Sequence, residues 1–370
     1  MATLFEKQVR DTVLPAGSIT SPGTIEPLST LDAWSSSSLL QKAIRRGEVH
    51  LAQRAAVTFH RLRPKAIWHR FMVIAFEDVG VASVDALVAV VTAGFDPYWR
   101  ERNGGDLAVI RGLAQMLADV PKDRSPDHAV CAAHAHPDFE GVRERIGSLR
   151  AHHRLDLISN MTEPLVTRAV AAWYASGLEW GDERRVGPGH LGSLLERFRD
   201  LRVPEPLLWA TRLTAQRTKE PICVMAPLLW LEAYGGEYPE TVACAVPECP
   251  RISGVPTYAF DKHTRLGKIA IARLVRENAS VRACLEQHVA EYRALDAACM
   301  AAFHADAAPV ALRMVWDGAD QLERLGVEAD LMSVGVAREG VGDLVQTVTA
   351  NLDHLNRIRA QLAGANRRLP

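Results

Sequence analysis

Five side chains capable of chemistry crowd the stretch "TYAFDKHTRLGK", residues 257–268: Asp261, Lys262, His263, Arg265 and Lys268. A carboxylate such as Asp261 can stabilise an oxocarbenium-like sugar or orient a water while a base departs. An amine such as Lys262 can attack the sugar to form a Schiff base, provided burial or nearby cations depress its pKa. Arg265 and Lys268 can hold flanking phosphates, the first beside a helix start whose free N–H groups favour the same ligand. A competing structural reading has Asp261 capping the helix that begins near Thr264, with His263 bonded locally.

A second acidic site ends the apolar run "FMVIAFEDVG", where Glu77 and Asp78 close a helix. A carboxylate gains nothing from the dipole at that end, so something else must compensate the pair. Either Glu77 and Asp78 hold neighbouring arginines or cap the next helix, or they act in catalysis. The neighbouring cations are plentiful: Lys42, Arg45, Arg46, Arg54, Arg61, Arg63, Lys65 and Arg70 face only Glu48 between positions 42 and 70. Such a segment can neutralise several phosphates, as DNA-binding Lys42, Arg45, Arg46 and Arg70 would do, or it can be a face whose charges pair with acids elsewhere.

These residues must be positioned by helices. Apolar side chains recur at helical spacing through most of the chain, for example Leu39, Leu40, Ala43, Ile44, Leu51, Ala55 and Phe59, and alternating β-branched runs are nearly absent. The expected fold is therefore all-α, a multi-helix globular protein with two helical subdomains. The serine run at 35–38 and Ser83 supply N-caps. "APVALRMVWDGADQLERLG" is read as one more helix. Residues 1–34, rich in Pro, Gly, Ser and Thr, form an extended arm; 35–120 is a basic helical subdomain, 121–150 a candidate boundary, and 151–370 a helical domain carrying "DKHTR". The 370 residues are 48% apolar and 24% charged with a net charge of −1, so no global charge points to nucleic acid or membrane. Six scattered cysteines suit reduced thiols, and no leader or membrane span is visible, so a soluble cytoplasmic protein is expected.

Three resemblances add to this. "SLLQKAIRRGEVHLAQRAA" followed by "RFMVIAFEDVGVAS" resembles the helical collar region of replication-associated clamp-loader-like ATPases over residues 36–86. No phosphate-binding G-x-x-x-x-G-K-[ST] accompanies it, so the likeness implies a DNA-associated scaffold rather than a motor. "AFDKHTRLGK" resembles the helix-hairpin-helix DNA glycosylases, in which an apolar pair precedes the catalytic Asp, a His and an Arg; Asp261 and His263 keep that relation, and Arg265 comes one place early. Gly187 and Gly189 in "RRVGPGHLGSLL" correspond to the phosphate-binding hairpin, although far from Asp261, and no lysine follows them at the position used for strand cleavage. That implies a monofunctional enzyme leaving an abasic site. Taken together, the two motifs resemble the bacterial anti-phage DNA glycosylases that excise glucosylated hydroxymethylcytosine.

Other clusters carry less. Cys244 and Cys249 are too widely spaced for a zinc knuckle, and the histidines around "CAAHAHPDFE" lack a ligand frame, so neither metal nor cofactor is expected. The sequence thus predicts a base-flipping DNA glycosylase acting on double-stranded DNA with a modified base, with Asp261, Lys262, His263, Glu77 and Asp78 as catalytic candidates. The alternative is a non-catalytic helical adaptor in replication or recombination.

Overall fold

The computed structural model describes residues 25–29, 31–179 and 189–365. Among these the protein is mostly helical, with two small two-stranded sheets, so the all-α expectation holds. The first half contains α1 (Ala33–Arg45), α2 (Val49–Leu62), α3 (Ala66–Ile74), α4 (Val84–Phe95), α5 (Pro97–Arg102), α6 (Gly105–Asp119), α7 (Ser125–Ala135), α8 (Glu140–Ser148), α9 (Ala151–Ser159) and α10 (Leu165–Ser176). The second half adds α11 (Leu191–Asp200), α12 (Glu205–Thr218), α13 (Ile222–Tyr234), α14 (Arg265–Glu277), α15 (Ala279–His288), α16 (Ala294–Ala302), α17 (Ala319–Ser333), α18 (Gly340–Ala350) and α19 (Leu352–Ala365).

Local chemistry sets several boundaries. Asp32 caps α1 by accepting the Ser35 N–H at 2.7 Å, Ser83 caps α4 through Ala86, and Thr264 caps α14 through Gly267 at 3.0 Å. The serine run is therefore not the cap of α1: Ser35, Ser36 and Ser38 lie buried inside the helix. Two helices end in a π-helical turn. Ala75–Val79 follows α3 and Phe303–Ala307 follows α16, and both bring polar side chains to the same region. Extra-residue turns of this kind re-aim side chains and recur at functional sites.

One correction concerns "APVALRMVWDGADQLERLG". Its first half is not helical: β4 (Leu312–Val315) pairs antiparallel with β1 (Glu240–Ala243), with Glu240 opposite Val315. A shorter pair joins β2 (Arg251–Ile252) to β3 (Val255–Pro256).

Two apolar cores form. The larger runs from Leu28 to Leu322 and includes Ala129, Val130, Ala132 and Ala133 of α7, so the stretch 121–150 contributes an interior helix. The smaller gathers Ala270, Ile271, Leu285, Leu331, Leu344 and Ile358 from α14–α19. Helix α17 joins the two, packing closely on α7 and placing Leu322 in one core and Leu331 in the other. No described helix is long and apolar enough to cross a membrane.

Candidate active site

Helix α1 turns its cations inward. Lys42 is 2% exposed and pairs with Asp261, itself 1% exposed, at 2.7 Å. Arg45 is almost wholly enclosed, and its guanidinium donates to Asp78 at 2.5 Å, to Glu77 at 2.8 Å and to the Ala307 carbonyl at 2.8 Å. Arg46 donates to the carbonyls of Pro247 (2.8 Å) and Asp306 (2.9 Å) and lies 4.4 Å over the Tyr258 ring. Charges removed from water need partners: Lys42 and Arg45 have carboxylates, and Arg46 has two carbonyls and a ring face. The expectation that Lys42, Arg45 and Arg46 bind DNA is therefore corrected: all three are buried, the first two against acids and the third with its guanidinium donors taken up by backbone carbonyls.

Asp261 is equally committed. Beyond Lys42, its carboxylate accepts the His263 N–H at 3.0 Å and the Ser38 hydroxyl at 3.3 Å. Burial alone would raise its pKa, but Lys42, His263 and these hydrogen bonds outweigh it and hold the group at about 2. Asp261 organises the turn into α14, while the cap itself is Thr264. With no access to solvent, its carboxylate is not available to a sugar.

Glu77 and Asp78 belong to a different assembly. Asp78 is fully buried and shared by Arg45, by Gln41 at 2.8 Å and by Arg124 at 3.3 Å. Gly80 makes the turn after it possible: its φ is 52°, and a Cβ there would meet the Asp123 carbonyl at 2.3 Å. Glu77, by contrast, remains 20% exposed. Through Arg124 it belongs to a group that also holds Asp127 of α7, Asp330 of α17 and His304 of the second π turn. Arg124 hydrogen-bonds Asp127, and His304 Nε2 lies 2.9 Å from Asp330. The Phe303 ring floors the group, with the Lys262 amine 4.5 Å from its centroid and the Arg45 and Arg124 guanidinium carbons at 5.4 and 5.8 Å.

The carboxyls of this assembly are driven apart. Desolvation would raise Glu77, but Arg45, Arg124 and Arg70 together bring it below the ordinary range, so it is a carboxylate. Asp127, 19% exposed, is raised to about 7, first by desolvation; Arg124 opposes this, while the charges of Glu77 and Asp330 add to it. Arg124 also serves Asp78, so its charge is divided and does not cancel the effect. Desolvation lowers His304 despite Asp330, which suits a neutral imidazole donating its Nε2–H to that carboxylate. A protonated acid and a carboxylate in one partly open site are the equipment for general acid catalysis beside a developing cation.

The remaining predicted residues divide. Lys262 reaches the assembly, its amine 2.8 Å from the Met300 sulfur, and His263 sits edge-on to Phe303 at 6.1 Å. Arg70 is half-buried, donates to Gln41 and lies within electrostatic range of Glu77. Arg265 and Lys268 are exposed, and Arg265 lines a separate cavity of about 510 Å³ with Asp32, Ser35, Phe260 and Ile269. That cavity adjoins the start of α1 whereas Glu77 meets its end, a separation of roughly 15 Å along the helix at 1.5 Å per residue. Gly189 is used for close packing, since a Cβ there would lie 2.3 Å from the Gly177 nitrogen; Gly187 lies outside the described residues.

Arg124, Asp127, His304 and Asp330 were not singled out by the sequence, and no local spacing marks them. Cys131 approaches Asp127 at 4.0 Å, but burial pushes its thiol up, away from nucleophilic use. No group of three potential metal ligands occurs among the described residues. Comparison of the chain with protein-family models, curated proteins and solved structures gives no match.

Proposed function

We propose that the protein is a DNA glycosylase that hydrolyses the N-glycosidic bond of a modified base and leaves an abasic site, using Glu77 and Asp127 in place of Asp261. The observation that carries this reading is geometric: two partly open carboxyls, Glu77 paired with Arg45 and Asp127 paired with Arg124, stand within electrostatic range of each other, and their surroundings push Glu77 down and Asp127 up. Asp127, protonated near neutrality, donates its proton to the departing base. Glu77 stabilises the positive charge that builds on the sugar, and a water completes the hydrolysis. His304 and Asp330 orient and charge the surroundings of Asp127. Lys262 contributes its positive charge rather than a covalent bond, in keeping with a monofunctional enzyme. Glucosylated hydroxymethylcytosine is the substrate suggested by the sequence resemblance, and a nucleotide must be everted from the duplex to reach such a site.

The test is incubation of the full chain with a panel of modified duplexes, including glucosylated hydroxymethylcytosine DNA, followed by alkali treatment. Alkali-labile sites made by the unaltered protein and lost in Asp127→Asn support the reading. Strand-intact DNA from every duplex, together with stable complexes with replication proteins, would favour the adaptor alternative.

A further inference from the structure

With Lys42, Arg45 and Arg46 enclosed, the cations able to meet a phosphate must lie elsewhere. The exposed side of α3 and of the turns flanking it carries Lys65, His69, Val73 and Glu77, none of them buried, with Arg70 next to His69. Helix α12 packs against α3 and ends in Arg217, Thr218 and Lys219, of which Arg217 and Lys219 are exposed. His69 lies within electrostatic range of both Arg70 and Arg217. Arg70 in turn neighbours Glu77, Glu220 and His263. The exposed side therefore ends at the Glu77 carboxylate, and Glu77 and Glu220 are the acids found in range of its cations.

Lys219 stands in an unusual backbone conformation. It follows the last turn of α12 with φ 63°, a left-handed conformation that glycine adopts freely and a lysine adopts with strain. Part of its charge is offset by the negative helix end, which leaves Arg217 and Arg70 as the greater share of the local field; burial and these two guanidiniums lower the His69 pKa, so its imidazole is a neutral hydrogen-bonding member of the strip.

We propose that the outer face of α3 and the last turn of α12, through His69, Arg70, Arg217 and Lys219, form the strip that holds the phosphodiester backbone of nucleic acid beside the reacting nucleotide. This rests on the glycosidic reading of Glu77 and Asp127, since it makes those carboxyls the end of the strip. Clustered cations repel one another in the free protein; the negative phosphates relieve that repulsion, and the counterions they release make binding salt-dependent.

The experiment compares the unaltered chain, the double variant Arg217→Ala/Lys219→Gly and the control Arg282→Ala, whose cation lies on α15. Fluorescence anisotropy on an unmodified duplex over a salt series gives the slope of log affinity against log salt. The double variant is expected to lower the slope by about 1 to 2, the loss of one or two phosphate contacts at roughly 0.9 each. The control should leave the slope unchanged. Lys219→Gly alone should keep or raise the melting temperature, because glycine fits the left-handed turn, and so separates binding from folding. An unchanged slope in the double variant overturns the strip even if base excision is intact. A reduced slope with no excision on any substrate supports the strip and sinks the glycosidic reading instead. Binding of an acidic peptide in preference to DNA would overturn the proposal.

Discussion

The two acidic regions beside α1 share composition and differ in fate. Both are met from its last turn: Asp261 pairs with Lys42 with both groups sealed from solvent, while Glu77 pairs with Arg45 but keeps a fifth of its surface open, in the group that holds Asp127 and Asp330. In the first region a single strong pairing lowers the acid to about 2 and fixes a turn. In the second, desolvation raises Asp127 to about 7, and the acids that share Arg45 and Arg124 keep those cations from offsetting it. A carboxylate fully matched to one cation is a structural element. A carboxyl poorly matched among several neighbours keeps the capacity to exchange a proton.

The largest expected effect tests the second region. Asp127→Asn removes the proton donor while preserving shape, and single-turnover excision should fall by about 10² to 10⁴, with a melting temperature near neutrality that is not lowered. A loss smaller than tenfold would remove Asp127 from the chemistry. In the first region, Asp261→Ala leaves Lys42 as an uncompensated buried charge and should destabilise the fold by about 3–5 kcal/mol in urea unfolding. Excision per folded molecule should survive, and a stable but inactive variant would reverse the assignment of the two regions.

A smaller effect follows from protonation. The folded pKa of Asp261 lies below its unfolded value, so its contribution to stability is present above the ordinary aspartate range and is lost as pH falls from about 4 toward about 2. Asp127 has the opposite sign: its raised pKa makes stability decline as pH rises from about 4 to about 7, then level off. Melting curves of Asp261→Asn and Asp127→Asn should each lose the corresponding slope. Retention of both slopes would contradict the partition drawn between the regions.

Much of the helical framework was legible because burial of a helix face leaves a 3.6-residue trace, as in Leu39, Leu40, Ala43 and Ile44, and because caps such as Ser83 are local. β4 was not, since its partner β1 is distant and "ALRMVW" has no alternation strong enough to announce it. Glu77 and Asp78 were legible as acids at the wrong end of a helix. Asp127 and Asp330 were not, because their meaning arises only where α7 packs on α17. "DKHTR" misled for the same reason: nothing within it reveals that Asp261 is held by Lys42 and by Ser38, 223 positions upstream.

The most direct test of the account is the pH dependence of single-turnover excision by the unaltered protein beside Asp127→Asn. If Asp127 is the acid, the rate falls tenfold per unit as pH rises above about 7, and the residual rate of Asp127→Asn lacks that limb. An identical alkaline limb in the variant, or a rate independent of pH through this range, would contradict the central claim.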